Sequence, residues 1–333
     1  MLQQHPILRF YVKFLLLSLP LTILIGYYVI RDPFMALRHY DDYDHSHVTQ
    51  NEGAVAWQKY LMQRSSQHYD AFLMGTSCTM AFSCKEWNHY TGGHGFRFFS
   101  NAEGLGDFCL KLEALDKQPQ QPVKNLLLVV ERFFFEKENP QGGIMHLMPP
   151  DVSHRSWLSY QSAYLQSFFD PKYLLPYLTY EITGRITPSM QGIIIEQVPT
   201  RDRITNEAII PLEDSIRVQG ERFWSKRQWK DEPRHPSTAP QVIADGQIRR
   251  LREVVDFCHR HHTRIDIVIS PNFDQEAFHP HDLAILRQLF GAHHVFDYTR
   301  DTTMTDYHQY YDPAHYRPMV ANRILKQIYT PRP

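Results

Sequence analysis

Asp70-Ala71-Phe72-Leu73-Met74-Gly75-Thr76-Ser77-Cys78 is the stretch whose reading decides the fold. Ala71 to Met74 form an apolar run of strand length, and Gly75 lets the backbone turn sharply ahead of two hydroxyl side chains. A strand that ends in Gly-Thr-Ser and runs on toward a helix predicts Ser77 at the carboxyl edge of a parallel sheet, where α/β folds keep their ligands. Two roles fit a hydroxyl there. Ser77 is either a nucleophile or, with Thr76, a cap for the helix that follows.

A second stretch lies far along the chain, from Tyr310 to Leu325. Asp312 followed by Pro313 predicts an N-cap with proline at the first helical position, which puts His315 on the first turn. A carboxylate and an imidazole three residues apart at a helix start converge on one point, as in an acid that orients a base. A capping Asp beside a surface histidine fits the same residues.

Between these stretches strands and helices alternate. A helix around Val55 to Met62 leads into the first strand, and Phe96 to Asn101 reads as the second, with Gly104 and Gly106 opening a helix that runs to Leu115. Asn125 to Val130, NLLLVV, is the strongest buried-strand signal, a continuous apolar run that delivers Glu131 and Arg132 to the same edge. Val242 to His262 and His281 to Phe290 read as helices, Ile265 to Ile269 and His294 to Tyr298 as strands, and Val320 to Ile328 as the last helix. Asn272 follows one of those strands and is a candidate substrate contact. The strand-helix order predicts an α/β fold with a parallel central sheet covered on both faces.

From about residue 142 to 240 the pattern loosens. Pro149, Pro150, Pro171, Pro176, Pro188 and Pro199 interrupt it, and the region is expected to be a helical and loop insertion over the sheet's functional edge. Trp157, Tyr160, Tyr164, Phe168 and Tyr173 suit stacking on sugar rings, yet their spacing of three to four residues is also that of a core-facing helix. Arg217 to His235, followed by Pro-Ser-Thr-Ala-Pro, reads as a mobile connection.

Phe14 to Ile30 carries no charge and, with Tyr11 and Val12, approaches the length a bilayer span requires. The run ends in Tyr27-Tyr28-Val29-Ile30-Arg31 rather than in small residues, so residues 1–31 are expected to be an uncleaved anchor rather than a signal peptide. Residues 32–333 then form the main domain outside the cytoplasm. The expected location is the inner membrane, single-pass, with that domain in the periplasm or beyond. In 333 residues, 43% hydrophobic, there is material for one sizeable core. A formal net charge of -1 supplies no attraction for nucleic acid, and none is expected as a partner. Asp41, Asp42, Asp44, His45 and His47 read as a solvated loop; no Cys/His spacing matches a structural zinc site, and no metal is expected. Cys78, Cys84, Cys109 and Cys258 define no disulfide framework, although Cys78 and Cys84 are close enough in sequence to pair.

The Gly-Thr-Ser after a strand and the Asp-x-x-His near the end, in that order, resemble the SGNH (GDSL-type) hydrolase superfamily. Within it the chain is similar to the membrane-anchored, secreted branch of alginate-type O-acetyltransferases and D-alanyl transfer proteins of teichoic acid. Asp32-Pro33-Phe34, Asn51-Glu52-Gly53, Tyr69-Asp70, Phe99-Ser100-Asn101, Pro122 to Glu131 and Ile269-Ser270-Pro271 extend the resemblance over nearly the whole chain after the anchor. It implies a three-layer sandwich, with Ser77 as nucleophile, His315 as base and Asp312 as the acid that orients it. It also implies an oxyanion site at Gly104, with Asn101 as a side-chain donor; glycines that simply shape a strand-to-helix turn fit the same residues. The superfamily's third motif has an asparagine where this chain has Glu131; either Arg132, Asn101 or a group near the substrate replaces that donor, or the site does not catalyse acyl transfer in the usual way. Implied too are a cofactor-independent esterase or O-acyltransferase, a cell-surface carbohydrate and acyl donor, and a membrane acyltransferase or export partner. The alternative is a non-catalytic, membrane-anchored protein that binds glycan or an assembly partner.

Overall fold

The computed structural model describes residues 6–198, 200–231 and 237–330. Pro199 and residues 232–236, part of the expected mobile connection, lie outside the described residues. The chain divides into two compact units, Met1–Gln50 with Ser156–Val198, and Asn51–Arg155 with Pro199–Pro333.

In the larger unit the strands are β1 (Ala71–Gly75), β2 (Gly95–Phe99), β3 (Asn125–Val130), β4 (Thr200–Arg201), β5 (Ala208–Ile209), β6 (Arg264–Ile269) and β7 (Val295–Asp297). Five of them make one parallel sheet in the order β2-β1-β3-β6-β7, while β4 and β5 form a separate antiparallel ribbon. The first strand of the sequence therefore sits near the middle. In register, Gly75 of β1 is opposite Val129 of β3, so Ser77 and Glu131 emerge side by side at the carboxyl edge.

Side chains alternate across this sheet as the two-residue period requires. Phe72, Met74, Leu126, Leu128, Ile265 and Ile267 join one buried cluster with the helices Glu52–Gln67, Leu105–Asp116, Asp245–His261 and Pro280–Phe290. Leu73, Leu127, Val129 and Val268 join the other with Cys84–Thr91 and Pro318–Tyr329. Strands buried on both sides have no polar face, which is why NLLLVV reads as a continuous apolar run.

Gly75 has to be glycine. Its φ is +126°, and an added Cβ would lie 2.0 Å from the Val129 carbonyl oxygen. That close approach lets Thr76 N–H donate to the same carbonyl at 3.0 Å, tying the turn after β1 to β3.

The smaller unit holds the helix Pro6–Arg31, of which Ile7–Arg31 is long and apolar enough to cross a membrane, with a mean hydropathy of 1.8 over an 18-residue window. Just past its end the Asp32 carboxylate accepts from the Ala36 and Leu37 amides at 3.0 Å each, and from Tyr40 at 2.8 Å. Phe34 packs in tilted contact against Tyr164 and Tyr173, at 5.3 and 4.6 Å between ring centres. Those two tyrosines belong to the helices Trp157–Phe169 and Pro171–Thr183, joined through Asp170. Tyr160, Tyr164, Phe168 and Tyr173 are buried, as helical spacing predicts for a packed face; Trp157 departs from them and is exposed.

Candidate active site

Ser77 opens a 3-10 turn, Ser77–Ala81, in place of the expected longer helix. Two bonds brace the turn from behind: Thr79 Oγ1 donates to the Thr76 carbonyl at 2.8 Å and accepts from Arg97 Nε at 3.1 Å. Arg97 is fully buried in β2, its guanidinium 3.9 Å from the centre of the Phe99 ring. A lone cation inside Gly-Phe-Arg-Phe-Phe was the available signal for this brace, and the sequence reading passed over it.

Asp312 and Pro313 do not begin a helix. They lie in a turn closed by a bridge between Tyr310 and Tyr316, and the last helix starts at Pro318 with Arg317 at its N-cap. Phe273 N–H donates to the Pro313 carbonyl at 2.9 Å and Tyr311 N–H to the His315 carbonyl at 2.8 Å, which holds the turn against the sheet edge and stops it from winding up. The Asp312 carboxylate caps its own turn instead, accepting from the Ala314 and His315 amides at 2.9 and 3.0 Å.

Ser77 and His315 are 238 positions apart in sequence, yet Ser77 Oγ lies 2.8 Å from His315 Nε2. On the other side of the ring, Nδ1 is 2.9 and 2.8 Å from the two Asp312 oxygens. Such a line fixes the tautomer: Nδ1–H donates to the carboxylate, and Nε2 is left to accept from the serine hydroxyl. The Asp312 hydrogen bond holds the His315 pKa above its ordinary value against the opposing effect of burial, with further help from the charges of Asp312 and Glu131. Burial works to raise Asp312, but the bond and charge of His315 and the two backbone amides hold it below the usual carboxylate range.

Cys78 points away from this line. Its thiol donates to Glu131 Oε1 and lies 3.3 Å from the Ala314 carbonyl. Burial, with Glu131 beside it, pushes the thiol pKa well up, so the thiolate needed for nucleophilic attack is suppressed. All four cysteines are free, Cys78 and Cys84 included. Glu131 is itself raised, chiefly by burial, although Cys78, Thr76 and His315 all favour its charged form; its Oε2 is buried with no hydrogen-bond partner.

The remaining candidates fall into two groups. Glu131, Arg132 and Asn272 line one cavity of about 380 Å³ together with Ser270, Pro313 and Ala314. Within it Arg132 pairs with Glu136 and lies 3.7 Å from Glu276. The Asn272 side chain accepts from the Glu276 amide at 3.0 Å and donates to its carbonyl at 3.2 Å, so it closes a loop in the cavity wall. The cavity borders the Ser77–His315 line through Glu131 and Ala314, which both touch Cys78. Gly104 lies apart from this group. It is the N-cap of Leu105–Asp116, its N–H donates to Asp107 Oδ2 at 3.3 Å, and an added Cβ would meet Lys137 at 2.4 Å, so its amide is engaged in the capping box. Asn101 is exposed in the turn after β2.

No protein-family model, curated protein or solved structure matches the chain.

The Asn51-Glu52-Gly53 triplet is occupied in packing. Asn51 caps its helix and donates to the Ile144 and Leu147 carbonyls at 2.8 and 2.9 Å, Glu52 pairs with Arg201, and Gly53 leaves room for Ser100. Among the described residues no group of three or more His, Cys, Asp or Glu side chains is arranged to hold a metal ion. Asp42 and His45, in the loop after the helix Pro6–Arg31, form an exposed pair at 3.0 Å, while His47 Nδ1 is 2.8 Å from the Ile195 carbonyl oxygen.

Proposed function

We propose that the chain is a serine-dependent esterase or O-acyltransferase acting on acyl groups, acetyl above all, of an extracytoplasmic polysaccharide. In this reading the larger unit is an SGNH-like three-layer sandwich and residues 6–31 anchor it in the inner membrane. The observation that carries it is the unbroken Asp312–His315–Ser77 line at the carboxyl edge of a parallel sheet.

His315 Nε2 takes the proton of Ser77 as Oγ attacks the acyl carbonyl carbon, and Asp312 stabilises the imidazolium that forms. The tetrahedral intermediate collapses when His315 returns that proton to the departing alcohol oxygen, leaving acyl-Ser77. Water or a sugar hydroxyl, deprotonated in its turn by His315, then takes the acyl group and frees the serine. The oxyanion needs donors. The first amide of the Ser77–Ala81 turn to bond backward is that of Thr79, at 3.1 Å to the Thr76 carbonyl. The Ser77 and Cys78 amides precede it and supply the donors that Gly104 does not. The Glu131 cavity, apolar at Pro313 and Ala314 and polar at Arg132 and Ser270, receives the acceptor.

The test is labelling with a fluorophosphonate probe. Wild type is expected to become covalently modified and Ser77→Ala to stay unmodified. An unlabelled wild-type protein that still binds glycan would leave only the binding role. Comparing p-nitrophenyl acetate hydrolysis with transfer to an oligosaccharide separates esterase from transferase.

A further inference from the structure

We propose that the two-helix segment Trp157–Phe169 and Pro171–Thr183 lies on the membrane beside the anchor, as a second contact with the lipid headgroup region. The inference rests on the helix Pro6–Arg31 crossing the bilayer. Both elements belong to the same compact unit.

Three contacts fix the level of the segment along the anchor. Tyr28 packs on Phe168 with ring centres 5.0 Å apart, Tyr27 OH donates to Glu181 Oε2 at 2.8 Å, and Arg31 pairs with the same oxygen at 2.5 Å. Tyr27 and Arg31 are about 6 Å apart along a helix that rises 1.5 Å per residue. They straddle the end of the uncharged run Phe14–Ile30, where hydrocarbon gives way to headgroups. Glu181 touches both, so it lies at that boundary.

The outward side of the segment is apolar where a soluble surface would be polar. Leu175 and Ile182 are 63% and 82% exposed on one helical stripe with Lys172 and Thr179, and Trp157, Leu158 and Ile186 are exposed as well. Exposed large apolar side chains elsewhere beyond the anchor, such as Met62, Val218 and Met319, are spread over separate elements. Lys172 and Arg185 flank the stripe, exposed and cationic. Apolar side chains bordered by basic ones, with a tryptophan among them, are the chemistry of an interfacial helix on anionic lipid. Attachment of the segment to the anchor where the uncharged run ends, through Tyr27, Tyr28 and Arg31, names lipid as the occupant.

The experiment uses the full chain with Cys109→Ser, which removes the one half-buried thiol, reconstituted in phosphatidylethanolamine/phosphatidylglycerol vesicles. A fluorescent label is placed singly by Leu175→Cys, Ile182→Cys, Leu17→Cys or Met319→Cys, and nitroxide lipids quench at shallow or deep positions. Labels at 175 and 182 are expected to lose about half their emission or more to the shallow nitroxide and little to the deep one. The label at 17 should show the opposite order, and that at 319 neither. Quenching at 17 with none at 175 and 182 overturns the proposal and leaves the anchor standing; no quenching at 17 defeats both. Quenching of the 175 and 182 labels by a nitroxide-bearing second copy, in place of lipid, assigns the face to self-association and also overturns it.

Discussion

At the residue scale, the proposed activity turns on whether a proton can leave Ser77. His315→Ala is expected to retain the fold and lose turnover by on the order of a thousandfold, read as kcat/KM on p-nitrophenyl acetate. The pH profile carries more information. His315 must be neutral to accept the proton, and its pKa is raised, so kcat/KM is expected to climb with pH through a midpoint above the ordinary value of about 6.5. Asp312→Asn removes the largest cause of that rise and should move the midpoint of the residual activity down, with Glu131→Gln moving it less. Stability runs the other way. The folded state holds the His315 proton more tightly than the unfolded chain, so the pairing contributes in full below about 6.5 and is lost as pH rises through the folded pKa. Denaturant midpoints measured across that window should fall as the activity climbs. Cys78→Ala gives a separate check on which atom reacts. Because burial suppresses the thiolate, this variant is expected to keep its fluorophosphonate labelling; loss of labelling with the fold intact would reassign the nucleophile.

At the element scale, the turn after β1 is held by its neighbours more than by its own residues. Gly75→Ala places a methyl group against the Val129 carbonyl at a backbone angle that L-residues avoid, at a cost of about 1–3 kcal/mol for the conformation alone. Guanidinium denaturation should show that loss, and probe labelling of the folded fraction should fall as well, since the same turn carries Ser77. Much here was legible in advance. Burial on both faces makes NLLLVV and its neighbours legible as inner strands, because it leaves an unbroken apolar run, and Gly-Thr-Ser marks where one of them ends. Asp312 was misread because a carboxylate before proline has two uses, and only the Phe273–Pro313 bond and the Tyr310–Tyr316 bridge, contacts remote in sequence or shaped by tertiary packing, choose the turn over the helix. Gly104 was misplaced for a related reason: a glycine before a helix looks the same whether its amide is vacant or bonded to Asp107.

At the scale of the whole molecule, the anchor is the simplest expectation to check. The full chain should stay with the membrane fraction through alkaline carbonate and leave it only in detergent; release by carbonate alone would remove the membrane-spanning reading. The grouping of residues 156–198 with the helix Pro6–Arg31, instead of with the sheet they interrupt, had no signature in composition or spacing. It rests on ring contacts such as Phe34 with Tyr164 and Tyr173, between aromatic residues more than a hundred positions apart. Sequence periodicity marked those tyrosines as inward-facing and was silent on what they would face.

The 238-residue interval between Ser77 and His315 also sets a timetable. At a synthesis rate of about 5–20 residues per second, roughly ten to fifty seconds pass between the emergence of the hydroxyl and that of its base. In the proposed mechanism Ser77 has no base throughout that interval, and a chain stopped short of residue 312 never acquires one. Under the proposed function, secretion and maturation are thereby coupled: ester cleavage switches on only after residues 77 and 315 have both been delivered to the far side, away from the cell's internal esters.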